Sequence, residues 1–348
     1  CTTSQGIGRR CGIAPRSNRS GCATWRRSGT PGPGGHASFP GSGSVSQVAD
    51  ARIEHHRAIA ERAIPLAALL QVALLSLGWG GNSPALRYSL GALPPIGAAG
   101  VRFAIALALI TLVVLWRRIP VRLVRADWPR LIGMGLLFMV QICLLNLGSA
   151  QTTAARQALL INSYPLFVPL LAHAFVPGER LRWQNCLGTG LAFLGVLVLF
   201  GEKALRSDGD PTGDLLVTAS AVLLAVKAIY TSLLVRTYDP YVVLLVQMGV
   251  GVAGFFGLSL LSEPQLYRWT PLVTLSMLYQ GIVVAGLCFM GWSALLKHYS
   301  PSRLSVGFFM TPVFGAGLSY FFLGERPTAG LALAGLAILA GLFVVNRR

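Results

Sequence analysis

The chain of 348 residues is 53% hydrophobic and only 12% charged, with a mean hydropathy of +0.61. A water-soluble fold of this length needs more charge to cover its surface, so composition excludes the ordinary soluble classes and points to a membrane protein. The formal net charge of +17 does not indicate a nucleic-acid partner, because the Lys and Arg residues lie in the N-terminal stretch and in short connections between apolar runs, where they report topology.

Residues 1–60 are rich in Gly, Ser, Arg and Pro, as in Thr30-Pro31-Gly32-Pro33-Gly34-Gly35, and hold no apolar run long enough to pack or insert. This composition predicts a disordered tail. The alternative is a mis-called upstream start, since no Met precedes Met134. Cys1, Cys11 and Cys22 fall in the tail, and Cys143, Cys186 and Cys288 stand alone in apolar stretches, where they read as small buried apolar residues. Their spacing suggests neither disulfides nor a metal site, and no cofactor is implied.

From Ile64 the apolar runs recur at 64–86, 93–116, 128–149, 153–176, 184–201, 213–235, 240–261, 271–296, 303–322 and 328–346. Most approach the ~20 residues that cross ~30 Å of hydrocarbon at ~1.5 Å per residue. The expected fold is therefore an all-α integral membrane protein of ten transmembrane helices. With the N-terminus inside, the inside flanks carry Arg117, Arg118, Arg122, Arg125, Arg130, Arg180, Arg182 and Arg236 among others, against a smaller outside set such as Arg87, Arg156, Arg206 and Arg268. That bias predicts a multi-pass protein of the cell membrane with both termini cytoplasmic.

The two halves repeat one pattern. Arg156, Tyr164-Pro165, Gly178-Glu179-Arg180 and Gly195 occur in the first half, and Arg303, Thr311-Pro312, Gly324-Glu325-Arg326 and Gly341 in the second. In both copies Arg precedes Pro by nine positions and Gly follows Glu by sixteen, while the Pro-to-Glu distance changes only from fourteen to thirteen. Ordered matches at corresponding spans predict a duplication, with five-helix units over 64–201 and 213–346. Five crossings is an odd number, so the second copy enters from the opposite side and the repeats are inverted. Two inverted halves that rock about a central cavity are the usual basis of secondary transport.

The run Trp79-Gly80-Gly81-Asn82-Ser83, Pro94-Pro95 followed by Arg102, and the paired Pro…Gly-Glu-Arg…Gly blocks resemble the EamA-type transporters of the drug/metabolite transporter superfamily. The resemblance spans about residues 64–346 and implies a ten-span carrier that exports amino acids, other metabolites or drugs through a cavity between its repeats. It also supports Arg102, whose position matches the second-span Arg of that family. Lys227 departs from the pattern, where a small or aromatic residue is more usual.

Arg102 and Lys227 are the two clear ionisable groups inside spans, at depths of about 13 Å and about 20 Å from the outer ends of theirs. A charge at such depth costs ~2.5–3.5 kcal/mol even on the lenient insertion scale unless it is wet or paired. Either they face a cavity and attract an anionic group, or Lys227 snorkels toward Arg236 and Arg102 binds backbone carbonyls. No Asp or Glu lies in the middle of a span, which disfavours a proton-driven exporter of cations and favours a neutral, zwitterionic or anionic substrate. Uncharged candidates for substrate contact are Asn82, Asn162, Tyr164, Tyr230, Gln247, Tyr279, Gln280 and Trp292, with Gln141 and Asn146 as further amides. Pro165 and Pro312 mark expected helix breaks that could gate the cavity. Glu179 and Glu325 read as charges at the positive end of the following helix, and His173 and His298 as interfacial residues.

The expected partners are a small-molecule substrate and the lipid bilayer, and the rival carrier reading is a nucleotide-sugar or sugar-phosphate transporter using Arg102 and Lys227 for phosphate. A membrane-embedded enzyme is disfavoured, because no paired Asp set or His-Glu-x-x-His run is present. The orientation is open to a direct check in a variant without the native cysteines. A cysteine placed at Arg268 should react with a membrane-impermeant maleimide on intact cells, and one at Arg122 only after permeabilisation.

Overall fold

The computed structural model describes residues 64–205, 210–323 and 329–346. The expected tail and the Gly324-Glu325-Arg326 turn lie outside the described residues. Within them the regular structure is entirely helical. That is the only open arrangement in which a chain crossing hydrocarbon bonds all its own N–H and C=O groups.

Eight helical segments among the described residues are long and apolar enough to cross a membrane. In order, the first span is Leu66–Gly80 with Asn82–Leu90, the second Pro95–Trp116, the third Trp128–Gln151, and the fourth Ala154–Ile161 with Tyr164–Phe175. The fifth is Trp183–Leu205, the sixth Pro211–Leu234, the seventh Pro240–Ser262, and the eighth runs from Pro271 to His298. A ninth span is divided into Pro301–Gly307 and Met310–Leu323, and a tenth is Ala329–Asn346. We call the face where the first span begins the proximal face and the opposite one the distal face.

Local chemistry fixes where these helices start. Pro95, Pro211, Pro240, Pro271 and Pro301 each occupy the first turn, where a missing N–H costs nothing. Just ahead of three of them a side chain takes up a free amide: Asp210 accepts from the Thr212 N–H at 2.8 Å, Asp239 from Tyr241 at 2.9 Å, and Thr270 from Val273 at 3.2 Å. Gly178, in the turn between the fourth and fifth spans, has a φ of 84°, a backbone conformation that glycine adopts without steric penalty.

The halves do not stand side by side; each is threaded into the other. The second span packs on the seventh and the fifth on the tenth, each with its own repeat mate. The third packs on the sixth as the eighth packs on the first, and the fourth packs on the sixth as the ninth packs on the first. These are the contacts of a pseudo-two-fold axis.

The fifth–tenth pair shows the symmetry at single residues. A Cβ on Gly195 would lie 2.8 Å from the Ala334 carbonyl oxygen, while Gly341 abuts the Gly188 carbonyl and a Cβ there would lie 2.9 Å from that of Ala192. Gly195 and Gly341 are separated by the same interval as Gly188 and Ala334, so the two contacts are one contact seen twice. The repeat glycines let the two backbones touch.

Three spans are interrupted at mid-depth. The first breaks at Gly81, the fourth at Asn162-Ser163 just ahead of Pro165, and the ninth at Phe308-Phe309 just ahead of Pro312. The eighth is continuous but widens into a π-helix over Tyr279–Cys288, a rare form associated with functional sites. At the first–ninth crossing a Cβ on Gly80 would come within 2.8 Å of the Gly315 nitrogen and 3.1 Å of the Thr311 carbonyl oxygen. Gly80→Leu should therefore cost about 1–3 kcal/mol through overpacking and lower the unfolding temperature in detergent. Gly335→Leu, where a new Cβ meets nothing within 4 Å, should not.

Candidate substrate cavity

The interrupted spans enclose a cavity of ≈ 160 Å³, walled by residues of both halves. Of the residues singled out in the sequence, Asn82, Arg102, Asn162, Tyr164, Lys227, Gln247 and Trp292 line it, as does Gln141. Thr311, the repeat counterpart of Tyr164, lines it too, and so do Phe103, Gln157, Phe289 and Phe308, which were not singled out. A Phe in an apolar span gives no sequence signal of its own.

Lys227 comes from the regular sixth span and is 6% exposed. Its ammonium does not reach toward Arg236. It lies 5.2 Å from the centre of the Phe138 ring and 4.8 Å from that of Phe289, between the negative faces of two aromatic rings. Phe138 belongs to the third span and Phe289 to the eighth, so the sandwich draws on both halves.

Arg102, 4% exposed, is held differently. Its Nη1 donates to Gln280 Oε1 at 3.1 Å, its guanidinium carbon lies 4.7 Å from the Phe103 ring centre, and its Nε is buried without a partner. The amide of Gln280 is oriented in turn, since its Nε2 donates to Ser89 Oγ at 2.7 Å and Ser89 donates to the Ala85 carbonyl at 2.8 Å. Gln280 thus stands behind Arg102 instead of in the cavity wall, and the π-helical turn carries it there. Neither cation has a carboxylate partner among the described residues, and the lining contains no acid.

The lining also presents acceptors with nothing to accept. Asn82 Oδ1, Gln141 Oε1 and Asn162 Oδ1 are buried without a hydrogen-bond partner, as is Thr311 Oγ1. The Asn162 orientation is fixed by chemistry, because its Nδ2 donates to the Ala158 carbonyl at 2.7 Å and the other end of an amide cannot. Gln141 Nε2 likewise donates to Ser220 Oγ at 2.8 Å. On another wall, Trp79 meets Trp292 at 5.6 Å and Phe308 at 5.1 Å between ring centres, and Tyr164 meets Phe308 at 4.9 Å.

The remaining candidates lie outside the lining. The Tyr230 hydroxyl donates to the Arg130 carbonyl at 2.9 Å near the proximal face, the Tyr279 hydroxyl donates to the Gly78 carbonyl at 2.6 Å beside the first-span break, and Asn146 Nδ2 donates to the Pro95 carbonyl at 2.7 Å. Pro165 and Pro312 are buried in the first turns that follow the breaks of their spans, and neither is in the cavity wall.

Two polar junctions between the halves flank the cavity. At the distal face Arg156 forms an ion pair with Asp214, whose second carboxylate oxygen accepts from Thr152 at 2.6 Å. At the proximal face Glu179 does not serve the helix that follows it, which starts only at Trp183. Its carboxylate crosses to the other half, where Oε2 accepts from Ser302 Oγ at 3.2 Å and Oε1 has no partner. The Arg236 guanidinium nearby is buried with none of its nitrogens bonded. His173 takes the Leu181 N–H on Nδ1 at 3.3 Å and so braces the same turn.

Burial pushes the Glu179 carboxyl above the usual range, opposed by the hydroxyls and by the charges of Arg236 and Arg303. A raised folded-state value means stability that is present at low pH and lost as pH rises through that value. The unfolding temperature of the wild type should therefore fall as pH rises from the usual carboxylate range, relative to a Glu179→Gln variant whose profile lacks that slope. A wild-type slope of the opposite sign would show the carboxylate to be stabilised by its neighbours instead.

Ten spans in two inverted, interlocked repeats around a cavity that holds two cations define a membrane transporter. The EamA-like transporter family matches residues 66–201 and 211–347, and the chain belongs to that family. It is similar to an uncharacterized transporter of Archaeoglobus fulgidus, 25% identical over 80% of this chain and 97% of the relative. A probable amino-acid metabolite efflux pump of Escherichia coli is 27% identical over 78% of this chain and 92% of its own. A probable terminal-alkyne amino-acid exporter of Streptantibioticus cattleyicolor is 29% identical over 81% and 94%. A solved crystal structure superposes with a TM-score of 0.70 at 26% identity, covering 80% of this chain and 98% of that one.

Proposed function

We propose that the protein is a secondary exporter of small carboxylate-bearing metabolites of the amino-acid type, working by alternating access in the cell membrane with both termini in the cytoplasm. The observation that carries this reading is the pair of buried cations, Arg102 and Lys227, opening into one inter-half cavity without an acid to neutralise them. A buried charge left unpaired costs several kcal/mol, and a substrate carboxylate that enters the cavity removes that cost. The relatives described as amino-acid exporters favour the same substrate class.

Size agrees with it. A cavity of ~150 Å³ holds about one benzene molecule, so ≈ 160 Å³ suits an amino acid, whereas a nucleotide sugar would need the halves to part further. Alternating access is supported by the paired interruptions of the fourth and ninth spans, and by the glycine contacts along which the fifth and tenth can pivot. On this reading the proximal junction around Glu179 faces the cytoplasm and the Arg156–Asp214 pair faces outward.

Lys227→Met should lower counterflow of labelled amino acids in proteoliposomes by about 10–100-fold, as expected for loss of a desolvated charge partner, with expression and monodispersity unchanged. Unaltered exchange by that variant would remove Lys227 from the site.

A further inference from the structure

The cavity holds more recognition chemistry than a single carboxylate uses. It has two separate cations, each steadied by aromatic rings and not by an anion: Lys227 between Phe138 and Phe289, and Arg102 against Phe103. The rings connect them, for Phe103 meets Phe138 at 4.7 Å and Phe289 at 6.1 Å between centres, so both charges rest on one aromatic cluster. A substrate with one carboxylate would leave one of these cations unpaired in a low-dielectric site.

The unpartnered acceptors complete the pattern. Asn162 and Gln141 are 5% and 1% exposed, both line the cavity, and each carries a buried side-chain oxygen that receives no hydrogen bond. Neutral carbonyl dipoles can take up an ammonium group without the carboxylate that would otherwise compete for Lys227 and Arg102. Arg102 is held in place by Gln280 at Nη1, while its buried Nε has no partner.

Resting on the transport reading above, we propose that the preferred substrate is an acidic amino acid, its two carboxylates divided between Lys227 and Arg102 and its ammonium held by the amide oxygens of Asn162 and Gln141. Trp79, Trp292 and Phe308 then cover its methylene groups. Lys227 sets the preference for a second negative charge, and Arg102 is the anchor shared with simpler carboxylates.

The test is counterflow in proteoliposomes of labelled L-glutamate, L-aspartate, L-leucine, L-phenylalanine, succinate and glucose 6-phosphate. The acidic amino acids should exchange about tenfold or more faster than the neutral ones, and Lys227→Met should reduce that ratio to about one. Asn162→Leu should slow glutamate more than succinate. Faster exchange of leucine or phenylalanine than of glutamate would overturn this inference and leave the carrier reading standing. Preference for succinate would overturn the ammonium assignment, and preference for the phosphate ester would overturn the carboxylate one. Exchange of none of the six would overturn both this inference and the carrier reading. Should Lys227→Met fail to fold, Lys227→Arg, which keeps the charge, must retain the acidic preference, and stabilisation of the wild type against heat must be greater with glutamate than with leucine.

Discussion

In hydrocarbon a backbone polar group has no water to fall back on, and a charge has no solvent to share it. Everything distinctive in this molecule follows from how that constraint is met. Most of the chain meets it with unbroken helices opened by proline and capped by Asp or Thr. Where the helix is interrupted, at Gly81, Asn162-Ser163 and Phe308-Phe309, the interruption lies in the protein interior around the cavity. The exceptions to regular structure therefore mark the cavity.

The same constraint explains how two cations survive at depth. Lys227 is steadied by ring faces, which attract a cation without having to be charged themselves, and Arg102 by a chain of neutral side chains that runs through Gln280 and Ser89 to a backbone carbonyl. An acid in the lining would have stabilised them more strongly and closed the site to anions. The aromatic and amide supports keep the charges available.

Hydropathy made the spans legible from sequence, because their lengths are set by bilayer thickness, and the Arg156 and Arg303 blocks made the duplication legible. The cavity was legible only in part. Arg102, Lys227, Asn162 and Trp292 stand out as polar or amphipathic residues in apolar runs, and all line it. Tyr230, Tyr279 and Gln280 stand out equally, yet Tyr230 lies near the proximal end of the sixth span, and for Tyr279 and Gln280 the inward face depends on the register of the eighth, where the π-helical stretch carries no proline or charge to announce itself. Phe138 and Phe289 were invisible as partners of Lys227, since aromatic residues in a span are ordinary and these three come from different helices. Glu179 was misread as a helix-end charge because its true neighbour, Ser302, lies in the other repeat.

The position of Lys227 has an electrical consequence. Counted from Pro65 and Pro211, its mate in the first repeat is Gly81, which is packed against the Tyr279 ring and offers no side chain, so fusion of the repeats into one chain allowed a charge to exist on one side of the axis alone. With the proposed substrate, an empty carrier would hold two positive charges in its interior and a filled one a single net charge, because the guest's ammonium cancels one of its two carboxylates. Each uncompensated charge that shifts across the field is worth ~2.3 kcal/mol per 100 mV. On the proposed alternating-access cycle, voltage would then act more strongly on the return of the empty protein than on the loaded step.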